Sequence, residues 1–152
     1  MYNKILAPVD GSELSEYGLE HVKAIATGCS VPEVVLLRII EPIPSSGEIA
    51  SFAGEEWLRN AEKNAVEGTE DYLNRVKAKL TNEGINVQTV VKNGNAADEI
   101  VNYAKKNNVD LIVMGSHGSS GIVRWALGST TDKVVRHSTA PVLVAVHHSS
   151  RR

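Results

Sequence analysis

The sequence has a single cysteine, Cys29, among its 152 residues. One thiol cannot form an intramolecular disulfide, and it excludes a zinc ribbon or a CxxC redox pair. No apolar run approaches the roughly 18 residues that a membrane span needs, and residues 1–5 lack the apolar core of a signal peptide. From these absences we expect a cytoplasmic protein that makes no contact with a membrane.

The sequence also lacks an excess of charge of either sign. Lys and Arg number 16 against 18 Asp and Glu, which gives a formal net charge of −2 and a pI near 6.2. This balance excludes a protein that binds nucleic acid through bulk positive charge. Aromatic residues make up only 5%, whereas there are 19 valines and 10 isoleucines. Such a composition favours buried parallel strands, in which β-branched residues are common.

Five apolar, β-branched segments are separated by stretches with helical periodicity. The predicted strands are residues 4–9, 33–40, 86–92, 109–114 and 141–146. Residues 41–54 contain Pro42 and Pro44 and are predicted to form a loop, the best candidate for a mobile segment.

Four helices are predicted between and after these strands. Ser12 is a candidate N-cap of the first, which ends near Gly28, and Asn95 is a candidate N-cap of the third. The long second helix carries an apolar stripe from Leu58 to Leu80 and is predicted to end at Gly84 as its C′ residue. Residues 129–138 are predicted to form the short fourth helix.

This alternation predicts an α/β fold: a doubly wound, five-stranded parallel sheet in the order 3-2-1-4-5, with helices on both faces. We expect one domain over residues 1–146 and a short polar tail over residues 147–152. The winding reverses between strands 1 and 4, and open α/β sheets bind ligands at the carboxyl ends of the strands there. Residues 9–11 and 115–118 should therefore face each other across a crevice.

The segment after strand 4 is rich in glycine and hydroxyl groups. Gly115 and Gly118 allow a ligand to approach the backbone closely, and Gly128 precedes a helix whose first N–H groups favour anions. The hydroxyls of Ser129, Thr130 and Thr131 add donors, so the segment suits a chain of phosphates. It is neither a Walker A loop nor the GxGxxG fingerprint, which would follow strand 1.

The sequence resembles the universal stress protein family, in its nucleotide-binding branch. That branch carries Gly-x2-Gly-x9-Gly-Ser/Thr, which Gly115, Gly118, Gly128 and Ser129 match without a gap. Residues 5–12, 110–118 and 140–144 match as well, so the resemblance covers nearly the whole chain.

The resemblance implies an ATP site, with magnesium or manganese as candidate ions beside the phosphates. Pro8, Asp10 and Ile39 would border the adenine, with Ile40 as a neighbour, and Met114 would lie near the nucleoside. The implied ATP-binding set is Pro8, Val9, Asp10, Ile39, Met114, Gly115, Ser116, His117, Gly118, Ser119, Ser120, Gly121, Gly128, Ser129, Thr130 and Thr131.

Three functions remain open at this point. The first is a stress-response regulatory protein that binds ATP and is read by a protein partner through its conformation or dimer surface. The second is a slow ATPase or phosphotransferase, for which Asp10 is a candidate metal ligand and Arg124 a candidate charge. No water-positioning base and no catalytic residue can be identified for it. The third is a structural dimer that binds no nucleotide, against which the intact glycine motif argues.

Individual residues have simpler interpretations too. Asp10 could serve only as a turn residue that caps the first helix. His117 could point to solvent, because no partner carboxylate is identifiable. His147 and His148 are adjacent imidazoles near the terminus, which make a weak metal site.

Strand 5 is an edge of the predicted sheet. The residues from Val142 to Val146 are all uncharged and apolar. An unprotected edge of this kind invites pairing with a second chain. We therefore expect a homodimer through strand 5, which the resemblance also implies. The alternative is that a loop, or the tail from Ala145 to Arg152, covers this edge.

Overall fold

The computed structural model describes residues 1–42, 47–116 and 127–146. Strands and helices alternate along these residues, as the sequence predicts. The elements are β1 (Lys4–Pro8), α1 (Glu13–Gly28), β2 (Glu33–Ile40), α2 (Gly47–Asn82), β3 (Val87–Asn93), α3 (Ala96–Lys106), β4 (Leu111–Gly115), α4 (Ser129–His137) and β5 (Val142–Ala145).

The five strands form one parallel sheet in the order β3-β2-β1-β4-β5, which confirms the predicted topology. Ile5 of β1 is paired with Val34 of β2 on one side and with Leu111 of β4 on the other. The reversal of winding therefore lies between β1 and β4. This arrangement places the ends of these two strands side by side at one edge of the sheet.

Helices cover both faces of the sheet, and alternate strand residues divide between two cores. Ile5 and Ala7 belong to the core under α1 and α2, together with Val22 and Leu73. Leu6 and its neighbours on the opposite face pack with residues of α3 and α4, including Ile100 and Val134. Burial of each such aliphatic side chain contributes about 1.5–3 kcal/mol, so the two cores account for most of the drive to fold.

The helix ends follow the predicted residues. The side chain of Ser12 accepts a hydrogen bond from the Ser15 N–H, and that of Asn95 accepts one from the Asp98 N–H. Gly84 follows α2 with φ of +84°, which fits its predicted role as the C′ residue. Helix α1 ends at Gly28, as predicted, and the left-handed residue after it is Ser30, with φ of +52°.

The prediction of a loop over residues 41–54 is wrong in its second half. Helix α2 begins at Gly47 and is interrupted at Gly54, whose φ of +76° and ψ of 161° lie outside the helical region. The two prolines both precede Gly47, and residues 48–53 contain neither glycine nor proline. Nothing in that stretch therefore prevents a helix.

The apolar stripe of α2 is buried only in its C-terminal half. Leu73, Val76 and Leu80 are buried against the sheet, whereas Trp57 is 50% exposed. Helix α2 makes its strand contacts with β2 and β3, which are too short to cover a helix of 36 residues. The first half of the helix therefore extends beyond the sheet.

The bounds of β2 are as predicted, and those of the other strands differ from the prediction by one or two residues. β1 ends at Pro8 rather than Val9, although the Val9 N–H still donates to the Leu37 carbonyl at 2.9 Å. The other strands are β3 at 87–93, β4 at 111–115 and β5 at 142–145, and α4 ends at His137. The tail at 147–152 lies outside the described residues. Among the described helices, none has the length and apolar character that crossing a membrane requires.

Candidate functional site

A cavity of about 460 Å³ opens at the carboxyl ends of β1 and β4, where the sequence predicts a crevice. Its walls come from the ends of β1, β2 and β4 and from the first turns of α3 and α4. The lining residues are Pro8, Val9, Asp10, Ser15, Leu37, Arg38, Ile39, Glu41, Ala96, Ile100, Met114, Gly115, Gly128, Ser129, Thr130 and Thr131. The volume lies within the range typical of small-molecule sites.

The cavity has an apolar wall and a polar end. Leu37, Ile39 and Ile100 are buried aliphatic residues on the face of the sheet covered by α3 and α4. The polar end is the N-terminus of α4, where the N-cap is Gly128, a residue with no side chain to cap the helix. The first N–H groups of a helix have no acceptor within the helix itself, and the helix dipole favours negative charge beside Ser129.

Two hydrogen bonds hold the N-terminus of α4 against the end of β4. The Gly128 N–H donates to the Ser116 carbonyl at 2.8 Å. The Thr131 hydroxyl, which is buried, donates to the Gly115 carbonyl at 2.9 Å. The polar end of the cavity is thus fixed relative to the sheet.

A network of short polar side chains orients Asp10 at the end of β1. Its Oδ1 accepts hydrogen bonds from the backbone N–H of Ser12, at 2.9 Å, and from the Ser12 hydroxyl. The Ser15 hydroxyl donates to the Ser12 carbonyl at 2.9 Å and accepts from the Asp10 N–H at 3.3 Å. Asp10 therefore forms the turn before α1, and it also lines the cavity.

Most of the predicted site residues that the structure describes surround this one cavity. They are Pro8, Val9, Asp10, Ile39, Met114, Gly115, Gly128, Ser129, Thr130 and Thr131. Ser116 is buried and bonded through its carbonyl but does not line the cavity. Five further predicted residues, His117, Gly118, Ser119, Ser120 and Gly121, lie outside the described residues, as does Arg124.

Ile40, which the resemblance implies as a neighbour of the adenine, does not line this cavity. Successive strand residues point to opposite faces, and Ile39 lines this cavity, so Ile40 lies on the face covered by α1 and α2. It lines a second cavity there. Although Ile39 and Ile40 are adjacent in sequence, the pleat of the strand places them in different cavities.

Six lining residues were missed from the sequence: Ser15, Leu37, Arg38, Glu41, Ala96 and Ile100. Leu37 lies two residues before Ile39, so the strand period could have placed it on the same wall. Ala96 and Ile100 are four apart on α3 and share a helix face. Glu41 accepts a long hydrogen bond from the Ala96 N–H at 3.5 Å, a contact that no local pattern predicts.

No cluster of three or more metal-binding side chains occurs among residues 1–42, 47–116 and 127–146. Asp10 and Glu41 are the carboxylates that line the cavity within this part of the chain.

The fold and the cavity define a doubly wound α/β protein with a crevice at its switch point. The family model described as the universal stress protein family matches residues 1–146, and the chain belongs to this family.

Relatives of known sequence and structure agree with this assignment. The chain is 34% identical to universal stress protein MJ0577 of Methanocaldococcus jannaschii over 160 residues, covering 99% of this chain and 98% of that protein. It is 31% identical to universal stress protein YxiE of Bacillus subtilis, covering 95% and 99%. The solved structure of MJ0577 superposes with a TM-score of 0.83 and 37% identity, covering 99% of each chain.

Two more distant structures share the fold and contain a nucleotide. One is a universal stress protein in complex with cAMP, with a TM-score of 0.66, 24% identity and coverage of 98% and 99%. The other is a family protein of Arabidopsis thaliana with AMP bound, with a TM-score of 0.63, 17% identity and coverage of 97% and 93%.

Proposed function

We propose that this protein binds ATP in the crevice and acts in the cytoplasm as a regulatory protein of the stress response. The bound nucleotide sets a conformation or a dimer surface that a protein partner reads. The observation that carries the proposal is the presence, in one cavity, of an aliphatic wall and of the N-terminus of α4, whose N-cap Gly128 has no side chain.

Each part of the cavity matches a part of the nucleotide. The base lies against Pro8 and Ile39, where apolar surface excludes water, and Asp10 accepts hydrogen bonds from the ribose or the adenine amine. The phosphates lie at Ser129 and Thr130, where backbone N–H groups and hydroxyls donate to them. The cAMP and AMP found in two structures of the family support an adenine nucleotide.

The glycine motif supports the proposal that the polar end of the cavity holds a triphosphate. Gly115 ends β4, and Gly128 is the N-cap of α4, so two of its glycines stand at either side of the cavity's polar end. Magnesium or manganese would shield the phosphate charges, held mainly by phosphate oxygens and water with Asp10 as the candidate protein ligand.

The first experiment identifies any nucleotide that is purified with the protein. The protein is denatured, and the released small molecules are analysed by chromatography and mass spectrometry for stoichiometry per chain. ATP near one per chain supports the proposal, whereas ADP in its place favours the slow ATPase. If no nucleotide is released, binding of added ATP in the presence of magnesium is measured by calorimetry. Failure to bind would contradict the proposal.

A bulky side chain in the cavity gives a matched test. Ala96 lines the cavity at the first turn of α3, so Ala96→Phe should fill part of the space that the base needs and lower ATP affinity at least about tenfold. Ala78→Phe makes the same change on an exposed position of α2 and should leave the affinity unchanged. Equal affinities of the two variants would place ATP elsewhere.

We further propose a homodimer through the edge strand β5. Val142, Leu143 and Val144 are half-buried although β5 pairs with a strand, β4, on only one side within the described sheet. Val146 is 45% exposed beside them. Pairing of two copies along this edge would extend the sheet and cover this apolar surface.

A further inference from the structure

We infer that a second cavity, on the opposite face of the sheet from the nucleotide crevice, binds a small anion through Arg38. This cavity has a volume of about 390 Å³ and lies between the end of β2 and the middle of α2. Its lining residues are Asp10, Gly11, Arg38, Ile40, Asn64, Ala65, Gly68, Thr69 and Tyr72. Asp10 and Arg38 line both cavities, so the two are neighbours.

Arg38 is a half-buried cation on the wall of both cavities. Within residues 1–42, 47–116 and 127–146 its guanidinium makes neither a hydrogen bond nor an ion pair. A half-buried guanidinium presents five donors in a planar fork, which matches a carboxylate or a phosphate. An anion in the cavity would supply the acceptors that the protein does not.

Two carboxylates are associated with this cavity, Asp10 on its wall and Glu16 bonded to the wall residue Tyr72, and each accepts hydrogen bonds from other donors. Asp10 accepts two hydrogen bonds from Ser12 through Oδ1. Glu16 accepts the hydrogen bond of the Tyr72 hydroxyl at 3.2 Å, and burial together with Glu16 raises the pKa of Tyr72 to about 12. Tyr72 is therefore neutral at physiological pH and places no additional negative charge on the cavity wall.

The α2 side of the cavity is kept open by a glycine. Gly68 lies within a helix, where glycine costs about 1 kcal/mol relative to alanine, and a Cβ built there would meet no atom within 4 Å. No packing contact thus requires the absence of a side chain at Gly68. Together with Ala65 one turn earlier it leaves room for a ligand, while Asn64 and Thr69 add amide and hydroxyl donors.

The ligand class is a small anion with a carboxylate or phosphate group, and inorganic phosphate and succinate are the two probes. Each is titrated into isotope-labelled protein while the backbone amides of Gly68 and Thr69 are followed by NMR. The amides of Ser129 and Thr130 report separately on anion binding in the nucleotide crevice. We expect saturable shifts at Gly68 and Thr69, and the probe that saturates at lower concentration identifies the anion type.

Variants of the cavity decide the outcome. Arg38→Gln should weaken binding at Gly68 and Thr69 at least about tenfold, because a charge-assisted bidentate contact is lost. Arg38→Lys keeps the charge but lacks the planar fork of donors. Its affinity for the anion should therefore lie between those of Arg38→Gln and the native chain. Arg59→Gln removes the same charge from an exposed position on α2, so it should bind as the native chain does.

A space-filling variant tests the cavity without touching Arg38. Gly68→Leu should abolish the anion shifts and leave ATP binding in the crevice unchanged, because Gly68 lines only the second cavity. The inference is wrong if neither probe gives saturable shifts, or if Arg38→Gln and Gly68→Leu bind like the native chain. If the native protein does not bind ATP but still shows the anion shifts, only the proposed function is contradicted.

Discussion

The buried hydroxyl of Thr131 donates a hydrogen bond to the carbonyl of Gly115, 16 residues earlier in the chain. This bond joins the second residue after the start of α4 to the last residue of β4. The bond lies beside the proposed phosphate site. Together with the hydrogen bond from the Gly128 N–H to the Ser116 carbonyl, it sets the position of the α4 N-terminus relative to the sheet.

Replacing Thr131 by valine should reduce both stability and nucleotide affinity. Thr131→Val keeps the shape but removes the donor, which leaves the buried Gly115 carbonyl without it and costs about 1–3 kcal/mol. Denaturation in urea measures the free energy of unfolding, and calorimetry measures ATP affinity in the folded protein.

Two further variants separate the hydrogen bond from the change in surface chemistry. Thr131→Ser retains the hydroxyl and should recover most of the ATP affinity. Thr139→Val makes the same exchange at an exposed position and should change stability by less than about 0.5 kcal/mol. A Thr131→Val protein with native affinity would show that this bond does not position the phosphate site.

Patterns local in sequence were sufficient to predict the sheet and the crevice. The β-branched runs indicate strands, and the rule that ligands bind at the reversal of winding places Asp10 beside Gly115. The caps at Ser12 and Asn95 follow from side chains that reach only three residues along the chain. These features depend on neighbours in sequence, which is why one sequence can reveal them.

Contacts between distant segments could not be read in the same way. The strand period puts Arg38 on the face opposite Leu37, yet nothing local shows that Gly68 and Tyr72 of α2 stand across from it. The helix at 47–53 was missed because the prolines before it suggested a loop that ended later than it does. Both omissions concern where α2 begins and which part of it meets the sheet.

Stability at alkaline pH should depend on Tyr72. Desolvation by burial, with Glu16 next in importance, raises the pKa of this phenol from 10.0 to about 12 in the folded protein. The folded state holds the proton more tightly, so the associated stability is fully present below pH 10 and is lost as the pH rises towards 12.

Thermal unfolding of native protein and Tyr72→Phe across this range provides the measurement. The native melting temperature should fall more steeply with rising pH than that of the variant, which has no phenol to ionise. The pKa of Lys23 is also raised, chiefly by its hydrogen bond to Glu83, but Lys23 is common to both proteins. Parallel curves would show that Tyr72 ionises equally in the folded and unfolded states.

A proline in β5 should separate the proposed dimer without breaking the sheet. The carbonyls of Pro141 and Ala145 accept hydrogen bonds from β4, so by alternation the N–H of Val144 points towards the free edge. Val144→Pro removes a donor available to a second chain but none that β4 uses.

Sedimentation velocity distinguishes the two states. Native protein should sediment as a dimer, and Val144→Pro as a monomer with an unchanged circular dichroism spectrum. Val144→Thr keeps the backbone N–H and a β-branched side chain, so it should remain dimeric. A Val144→Pro dimer as tight as the native one would place the interface elsewhere.

Replacing glycine by alanine should change the free energy of unfolding in opposite directions at the two ends of the buried half of α2. Gly84 has φ of +84°, a left-handed conformation that costs a residue with a Cβ about 1–2 kcal/mol. Gly84→Ala should therefore destabilise the protein by that amount. Gly68 is helical with open space around it, so Gly68→Ala should stabilise it by about 0.5–1 kcal/mol. Urea denaturation of both variants measures the difference, and a stabilised Gly84→Ala protein would show that α2 does not end in the left-handed turn.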